Sequence, residues 1–330
     1  MEYTYLGRTG LTVSKLCLGT MNWGPKTGES EAFAIMDQAL EAGINFFDTA
    51  NVYGRYLGGS HTGWTEEIIG RWFAQCGGRR ESVVLATKVY GDMADPTDGP
   101  NQGGGLSAYK IRRHLEGSLT RLQTDHVELY QMHHVDRQAT WAELWGAFED
   151  VVSAGKVVYV GASNFGARHL AYAQAAAEGR GFLGLVSEQH KYSLRCRLPE
   201  LEVLPACQEL GLGVIPWSPL DGGLLGGHVG DGEGGQRTTA AVAQLTKDEH
   251  AALVGFEAAC AELGERPADV ALAWTLIHPA VTAPIIGPRS LKHFNESLRA
   301  LEIQLEPDFL ARLDELFPGP GGASPEAYAW

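Results

Sequence analysis

The sequence predicts an α/β fold, a (β/α)8 TIM barrel with an N-terminal β-hairpin and long loops at its C-terminal rim. Short apolar segments alternate with helical patterns along the 330 residues, which is typical of a parallel sheet. Several of these segments end in polar residues, as expected where barrel strands meet at one rim. The length suits one barrel with insertions, so we expect a single domain over residues 1–330, in which 318–330 is a Pro/Gly-rich tail.

The first half of the chain supplies four of the predicted core strands. YTYLGRTGLTVS places Gly7 to Gly10 between two β-prone pieces, which predicts a hairpin ahead of the first core strand. The next helix is expected to end at Gly43, and Ser107 is the predicted N-cap of a later helix. In chain order the predicted segments are KLCLGT, ESEAFAIMDQALEAG, NFFDTA, TEEIIGRWFAQCG, VVLATK, SAYKIRRHLEGSLTRLQ and VELYQMHH.

The second half continues the alternation. Its segments are TWAELWGAFEDVVSAG, VVYVGAS, ARHLAYAQAAAEG, GLVSEQH, LPELEVLPACQELG, GVIPWSP, RPADVALAWTLIHP, TAPIIG, SLKHFNESLRAL and PDFLARLDELF. Eight short strands that alternate with helices predict a closed parallel barrel. Residues 91–105 and 222–236 are rich in glycine and are expected to be loops over substrate or cofactor. The tail either folds over the rim or is disordered.

Composition excludes several classes of function. The formal net charge of −14 and a pI near 5.2 argue against a nucleic-acid partner, which requires a basic face. The chain begins without a basic and apolar leader and contains no apolar run long enough for a membrane span, so we expect a cytoplasmic protein. The cysteines form no C-x-x-C pair, which favours buried free thiols over disulfides or a metal site; they are Cys17, Cys76, Cys196, Cys207 and Cys260. The sequence does not define an oligomeric state.

Polar residues lie at the ends of four consecutive predicted strands. Asp48 ends NFFDTA and is followed in the next turn by Tyr53, while Lys88 ends VVLATK. His133 ends VELYQMHH, and the strand VVYVGASN ends in Ser163 and Asn164. Because the carboxyl ends of barrel strands meet at one rim, we expect these side chains to lie together.

A tyrosine beside a lysine and an aspartate can donate a proton near neutral pH, because the ammonium stabilises the phenolate of a group whose pKa is otherwise about 10. Asp48 would keep Lys88 charged, and His133, expected on the same strand face as Tyr130, could hydrogen-bond a carbonyl oxygen. Taken singly, Lys88 could be a structural ion-pair partner, Tyr53 a rim aromatic and His133 a core histidine. Taken together, they favour a site that polarises and protonates a carbonyl.

From Tyr5 to about Leu301 the chain resembles the aldo-keto reductases, through DTANVYG, LATK, LYQMHHVD, VGASNF, SEQ, IPWSPL and IIGPRS. The resemblance implies that Tyr53 is the general acid, that Lys88 lowers its pKa, that Asp48 pairs with Lys88 and that His133 orients the carbonyl. It also implies NADPH/NADP+ as cofactor, bound without the strand–G-x-G-x-x-G–helix arrangement of Rossmann domains, which this sequence lacks.

The resemblance also implies the cofactor contacts. Ser163, Asn164 and Gln189 are expected to hold the carboxamide, and Trp217 to stack on the nicotinamide. Arg289 can pair with a 2′-phosphate and favour NADPH over NADH, although alone it could be a solvated charge at a helix start. The remaining expected contacts are Gly19, Thr20 and Met21 near the ribose, Ser218, Pro219, Leu220 and Gly222 near the pyrophosphate, and Gly287, His293, Glu296 and Ser297 near the adenosine. Asp48 is also expected to contact the cofactor. Ser297 stands where the family often has Asn.

Three functions are considered. The first is an NADPH-dependent reductase of a small-molecule carbonyl, either an aldehyde or a ketone. The second is a non-catalytic NADPH-binding subunit similar to the channel-associated β proteins, which carry Asn where this chain has His133. The third is a barrel glycosidase that uses Asp48 and Glu188, for which Lys88 and Tyr53 are a poor match.

The substrate is less defined than the reaction. HTGWTEEIIGRWFA, TDHVELYQMHHVDR and SEQHKYSL resemble reductases of deoxysugar pathways, which implies a nucleotide-diphosphate keto-sugar, with a general aldehyde reductase as the alternative. Arg195 and Arg197 lie in the loop after the sixth predicted strand. They could pair with a substrate diphosphate, with the cofactor pyrophosphate or with surface carboxylates.

Overall fold

The computed structural model describes residues 1–55, 58–59, 61–75, 77–227, 229 and 240–329. Cys76, Trp330 and most of the predicted loop 222–236 lie outside the described residues. Of the other cysteines, Cys17, Cys207 and Cys260 are buried free thiols, whereas Cys196 is only half-buried.

An eight-stranded parallel sheet forms the centre of the molecule, and an antiparallel hairpin precedes it. The hairpin consists of β1 (Tyr3–Tyr5) and β2 (Thr12–Ser14), as predicted. The sheet consists of β3 (Cys17–Gly19), β4 (Phe46–Asp48), β5 (Val84–Val89), β6 (Val127–Met132), β7 (Val157–Ser163), β8 (Leu185–Lys191), β9 (Gly213–Trp217) and β10 (Ile285–Ile286). The strands pair in chain order from β3 to β9, and β10 pairs with β3.

The two edges of the sheet also meet each other. Thr282, just before β10, donates its backbone N–H to the Val214 carbonyl of β9 at 2.8 Å, and Val214 donates to the Ala280 carbonyl at 3.2 Å. These bonds bring the two edge strands, β9 and β10, together and confirm the predicted barrel. Closure places the carboxyl ends of all eight strands at one rim.

Helices follow the strands and pack on the outside of the sheet. They are α1 (Glu29–Glu41), α2 (Trp64–Phe73), α3 (Ala108–Leu122), α4 (Trp141–Ser153), α5 (Ala167–Glu178), α6 (Val203–Leu210), α7 (Lys247–Leu263), α8 (Pro267–Ile277), α9 (Leu291–Ser297), α10 (Pro307–Leu316) and α11 (Glu326–Ala329). Ser107 caps α3 as predicted, since its hydroxyl accepts the Lys110 N–H at 3.2 Å. None of the helices in the described residues has the length and apolar character needed to cross a membrane.

The core has two layers because side chains alternate along each strand. In β4, Phe47 points outward into the layer between sheet and helices, whereas Phe46 and Asp48 point into the barrel. The part of the barrel interior away from the rim is apolar, and Leu6 and Val13 of the hairpin region are buried there against Cys17 and Phe46. The hairpin therefore closes the end of the barrel opposite the rim.

The expectation that His133 shares a strand face with Tyr130 was wrong. Tyr130 points outward and donates its hydroxyl to the Ile111 carbonyl of α3 at 3.2 Å, while its neighbour Gln131 points into the barrel. His133 is three positions after Tyr130. An odd spacing places the two residues on opposite faces of an alternating strand.

Two irregular segments are held against the rim. The loop 91–105 is fixed by Thr62, whose hydroxyl donates to the Met93 carbonyl at 2.6 Å, and by Arg113, which pairs with Asp95 at 3.2 Å. The tail packs beside the segment that follows β8, where Ser324 donates its N–H to the Leu201 carbonyl at 2.8 Å. The described part of the tail is thus ordered against the barrel.

Candidate active site

Lys88 is the centre of the polar cluster inside the barrel and has no solvent exposure. Its ammonium donates to Asp48 Oδ2 at 2.5 Å, to the Thr49 carbonyl at 2.8 Å and to the Tyr53 hydroxyl at 3.1 Å. An ammonium has three N–H donors, and each has an acceptor here. Strands β4 and β5 are neighbours, so the ends of both strands converge on one point.

The charge of Lys88 is maintained by its partners. Burial opposes the charged form, but the nearby Asp48 carboxylate and Tyr53 oxygen outweigh that effect and raise the pKa of Lys88. A permanent ammonium therefore lies 3.1 Å from the Tyr53 hydroxyl. Such a cation stabilises a phenolate, which is the state of tyrosine after it donates its proton.

Two amide side chains hold Asp48. Gln131 donates its amide N–H to Asp48 Oδ1 at 3.0 Å, and Gln189 donates to the same oxygen at 2.7 Å. Asp48 is thus fixed from both sides, since Oδ2 accepts from Lys88. Sequence reasoning missed Gln131; the available signal was an amide in the middle of the apolar strand VELYQM.

His133 lies on the other side of Tyr53, with ring centroids 6.0 Å apart in an edge-on arrangement. Burial lowers the pKa of His133 to about 3, and the charges of Lys88 and His134 act in the same direction. The imidazole is therefore neutral at physiological pH. A neutral imidazole can donate one N–H to a carbonyl oxygen.

A cleft of about 590 Å³ opens from this cluster toward β10 and α9. All the cofactor-contacting residues expected from the resemblance line it, together with Tyr53 and His133, whereas Lys88 lies buried behind Tyr53. Its size is within the range of small-molecule sites. The lining residues that sequence reasoning missed are Asn22, Gly223, Arg266, Ala268, Asp269, Leu272, Ile285, Ile286 and Pro288.

Asn164 organises the inner end of the cleft from a left-handed conformation, with φ of 61°. Its amide donates to the His133 carbonyl and to the Ser163 hydroxyl, each at 3.0 Å, and its oxygen accepts the Trp217 indole N–H at 3.1 Å. Asn164 thus ties Trp217 to His133. Ser163 and Gln189 line the same end of the cleft, beside Trp217.

Glu188 supports Asn164 from behind and was missed as a support in the sequence. The side chain is fully buried, and its Oε1 accepts the Phe165 N–H and His190 Nδ1, each at 2.9 Å. Burial raises the pKa of Glu188. Since Gln189 points into the barrel, Glu188 points out of it, and the pair with Asp48 that a glycosidase would need is not formed.

At the outer end of the cleft, Arg289 is exposed and its guanidinium has no ion pair within the described residues. Glu296, by contrast, already pairs with Arg266 at 2.7 Å, and Arg266 also pairs with Asp269 at 2.8 Å. At the outer end, the Arg289 cation is thus available to a ligand, whereas the charges of Glu296, Arg266 and Asp269 are already paired with one another.

The profile of the aldo/keto reductase family matches residues 15–317. The chain belongs to the aldo/keto reductase family. This finding confirms the family predicted from the motifs, and it agrees with the barrel. Aldo/keto reductases are oxidoreductases that use a nicotinamide cofactor.

Individual relatives match nearly the whole length of this chain. The chain is 61% identical over 330 residues, all of both chains, to a protein of Bacillus subtilis (strain 168) named "Uncharacterized oxidoreductase YrpG". It is 31% identical over 340 residues, 96% of each chain, to versiconal hemiacetal acetate reductase of Aspergillus parasiticus. It is 32% identical over 313 residues, 92% of each chain, to a probable voltage-gated potassium channel subunit beta of Oryza sativa subsp. japonica.

The cleft of this aldo/keto reductase fits a nicotinamide dinucleotide. The inner end offers the Ser163 hydroxyl, the Gln189 amide and the flat face of Trp217, which suit a carboxamide and an aromatic ring. The outer end offers the exposed guanidinium of Arg289, which suits a phosphate. Within the described residues, no cluster of His, Cys, Asp and Glu is arranged to hold a metal ion.

The two arginines of the loop after β8 are not available to a phosphate. Arg195 pairs with Asp221 and, at 2.8 Å, with Glu249, while Arg197 pairs with Glu200 at 2.8 Å and with Asp314 at 2.5 Å. Of the three alternatives for these arginines, the structure shows the pairing with carboxylates. Neither arginine lines the cleft.

Proposed function

We propose that the protein is an NADPH-dependent reductase that converts an aldehyde or ketone to an alcohol, with Tyr53 as the proton donor. The observation that carries the proposal is the buried ammonium of Lys88, held by Asp48 at 2.5 Å and 3.1 Å from the Tyr53 hydroxyl. As Tyr53 gives up its proton, the ammonium stabilises the negative charge on its oxygen.

His133 and Tyr53 together would bind the carbonyl oxygen. The neutral His133 ring offers an N–H, and the Tyr53 hydroxyl offers a second donor from the facing side. Two preorganised donors stabilise the negative charge that develops on oxygen as the carbon is reduced. Tyr53 then transfers its proton to that oxygen, which yields the alcohol.

Bound NADPH would supply the hydride. Ser163 and Gln189 would hold the carboxamide, and Trp217, fixed by its 3.1 Å bond to Asn164, would stack on the ring and set which face is offered to the substrate. Arg289 would pair with the 2′-phosphate, which only NADPH carries. The remaining cleft residues would line the ribose, pyrophosphate and adenosine.

Replacement of Tyr53 by Phe tests the proposal. We expect turnover to fall by roughly 10²- to 10⁴-fold, because only the proton donor is removed, while the affinity for NADPH stays within about two-fold. NADPH oxidation at 340 nm measures turnover, and quenching of tryptophan fluorescence measures binding. The matched control is Tyr159→Phe, since Tyr159 packs in the apolar part of the barrel. Turnover of Tyr53→Phe within a few-fold of wild type would contradict the role.

A second candidate is a non-catalytic NADPH-binding subunit, which is suggested by the relative named as a potassium channel subunit beta. His133 favours the reductase, because the β proteins considered above carry Asn at this position. The substrate would be either a nucleotide-diphosphate keto-deoxysugar or a general aldehyde or ketone. A screen of NADPH oxidation over keto-sugars, aldehydes and ketones separates these cases, and NADPH binding without any oxidation would favour the subunit.

A further inference from the structure

The arginines of this acidic protein are nearly all engaged. Among those that the structure describes, all but four donate a side-chain hydrogen bond or join an ion pair. The exceptions are Arg55, Arg137, Arg168 and Arg289. With a net charge of −14, carboxylates are abundant, so an arginine without one is unusual in this chain.

All four of these arginines are exposed, and each follows a barrel strand at the C-terminal rim. A guanidinium without a partner presents five N–H donors and a permanent charge to a ligand. Arg289 already has a proposed ligand in the 2′-phosphate. The other three do not line the cofactor cleft, so the cofactor contacts proposed above leave them without a ligand.

Arg137 lies in the loop after β6, and Arg168 lies in the first turn of α5, which follows the neighbouring strand β7. The segments after β6 and β7 are joined by the bond from Asn164 to the His133 carbonyl at 3.0 Å. His169 lies near both arginines. Burial lowers the pKa of His169, and the nearby charges of Arg168, Arg137 and His134 act in the same direction. We call His134, Arg137, Arg168 and His169 the rim cluster.

Among the residues that the structure describes, the rim cluster has no acidic partner. Asp136, the nearest carboxylate in sequence, is turned to the backbone: one oxygen accepts the Leu106 N–H at 2.7 Å and the other accepts the Gln138 N–H at 2.8 Å. The Nδ1 atom of His169 is buried and has no hydrogen-bond partner in the described part of the chain. The first turn of α5, where Arg168 and His169 lie, contains no acidic residue.

The cluster is also close to the reacting groups. His134 directly follows His133, whose ring lies 6.0 Å from that of Tyr53. The His134 ring is itself 5.5 Å from that of Tyr90, which directly follows β5. The rim cluster therefore begins directly beside His133, which would bind the substrate carbonyl together with Tyr53.

We propose that Arg137 and Arg168 bind an anionic group of the substrate, a phosphate or a carboxylate, while its carbonyl lies at Tyr53. This inference rests on the proposed function and defines its substrate class as aldehydes or ketones with an anionic substituent. It places the recognition of the anion in the loop after β6 and at the start of α5, and not at Arg195 and Arg197.

Matched substrate pairs test the proposal. Succinic semialdehyde and butanal share a four-carbon chain and differ in the carboxylate, and glycolaldehyde phosphate and glycolaldehyde differ in the phosphate. We expect wild type to prefer an anionic member, with KM at least about ten-fold lower, because each charged hydrogen bond contributes roughly that much. The pair with the larger difference identifies the anion.

The variant for this test is Arg137→Ala combined with Arg168→Ala. We expect it to lose about ten-fold or more in kcat/KM for the anionic member, mainly through KM, and less than two-fold for the neutral member. The matched control is Arg180→Ala, which removes the same charge just after the opposite end of α5, where Arg180 pairs with Glu149 at 2.6 Å. Circular dichroism checks folding, and Arg168→Glu provides a single-site variant with the same expected pattern.

Equal use of anionic and neutral members by wild type would overturn the proposal, as would parallel loss for both members in the double variant or an equal loss in Arg180→Ala. In each of these results butanal or glycolaldehyde is still reduced, so the reductase function stands. If NADPH binds and none of the four compounds is reduced, this inference is overturned; the reductase function is contradicted as well only if the whole screen of keto-sugars, aldehydes and ketones shows no NADPH oxidation.

Discussion

The Lys88 ammonium shows how a single buried charge can be both stable and useful. With no solvent exposure, it depends on the Asp48 carboxylate at 2.5 Å and the Thr49 carbonyl at 2.8 Å. Removing one partner of a buried ion pair is expensive, since it leaves the other charge unpaired. The same bonds that stabilise Lys88 aim its charge at Tyr53, so structural and proposed catalytic roles coincide in one residue.

His133 leads to a prediction about pH. Because burial, Lys88 and His134 lower its pKa to about 3, the imidazole stays neutral throughout the range from pH 5 to 8. We expect kcat/KM for butanal to show no loss near pH 6.5 from protonation of His133, although an ordinary histidine titrates there. In the unfolded chain His133 binds a proton below about pH 6.5 and the folded site does not, so its contribution to stability decreases as the pH falls from 6.5 toward 3.

The pH profile of kcat/KM in the His133→Asn variant is compared with that of wild type. We expect a lower kcat/KM at every pH and an unchanged profile shape between pH 5 and 8. A decline in the wild-type profile near pH 6.5 that disappears in His133→Asn would show that His133 titrates in the working range and would refute the assignment.

Arg289 predicts cofactor preference. Its guanidinium is exposed in the cleft and pairs with no carboxylate among the described residues, so it is available to a 2′-phosphate. We expect Arg289→Ala to weaken NADPH by about 1.5 to 3 kcal/mol, roughly 10- to 150-fold, and NADH by less than two-fold. Fluorescence titration with both cofactors measures this, and Arg312→Ala, on α10 and paired with Glu262, is the control. Equal weakening of the two cofactors would be incompatible with a phosphate contact.

At the scale of elements, the turn after β7 connects two parts of the site. Glu188 on β8 accepts the Phe165 N–H at 2.9 Å, and the adjacent Asn164 holds both the His133 carbonyl and the Trp217 indole. Since Asn164 has a positive φ, its backbone is in a conformation that non-glycine residues seldom adopt. We infer that Glu188 keeps this turn in place and so positions Trp217 without contacting a ligand.

Substitution of Glu188 tests this positioning. Glu188→Ala leaves the buried Phe165 N–H without an acceptor, so we expect a loss of about 1 to 3 kcal/mol in unfolding free energy together with a several-fold weaker NADPH affinity. Glu188→Gln keeps an acceptor oxygen and should restore most of the affinity. Urea unfolding and fluorescence titration measure the two effects. A Glu188→Ala protein that is destabilised but binds NADPH as tightly as wild type would limit Glu188 to a structural role.

At the scale of the whole molecule, alternation made the barrel predictable. Eight apolar segments with polar ends, separated by helical patterns, specify both the strands and the rim where Asp48, Tyr53 and Lys88 meet. The helix α7 was missed because its buried face is made partly of small residues, although the T-x-x-E capping box of Thr246 and Glu249 was visible in the sequence. Gln131 was missed because an amide within a strand matches no motif.

The contacts between distant segments were not predictable from sequence patterns. Arg266 and Asp269 enter the cleft from the start of α8, where neither lies in a motif that marks the site. Arg195 is the opposite case. Its position at the rim predicted contact with a ligand, but in the folded protein it pairs with Asp221 and Glu249. Whether a rim arginine is available depends on which carboxylates the other loops bring to it, and local sequence does not encode that.

The barrel separates its stabilising end from its reactive end, which gives the last prediction. Leu6 has no solvent exposure and packs with Val13, Cys17 and Phe46 at the closed end of the interior. We expect Leu6→Ala to lower the unfolding free energy by about 2 to 5 kcal/mol, because it leaves a cavity in a packed core. NADPH affinity and turnover per folded molecule should stay within two-fold of wild type, since the proposed site is at the opposite rim.

Leu11→Ala, at a half-buried neighbour, should cost less stability, and urea unfolding alongside NADPH oxidation measures both properties. If Leu6→Ala instead lowers turnover of the folded protein ten-fold at unchanged secondary structure, the closed end and the site are coupled, and the two ends of this barrel do not act independently.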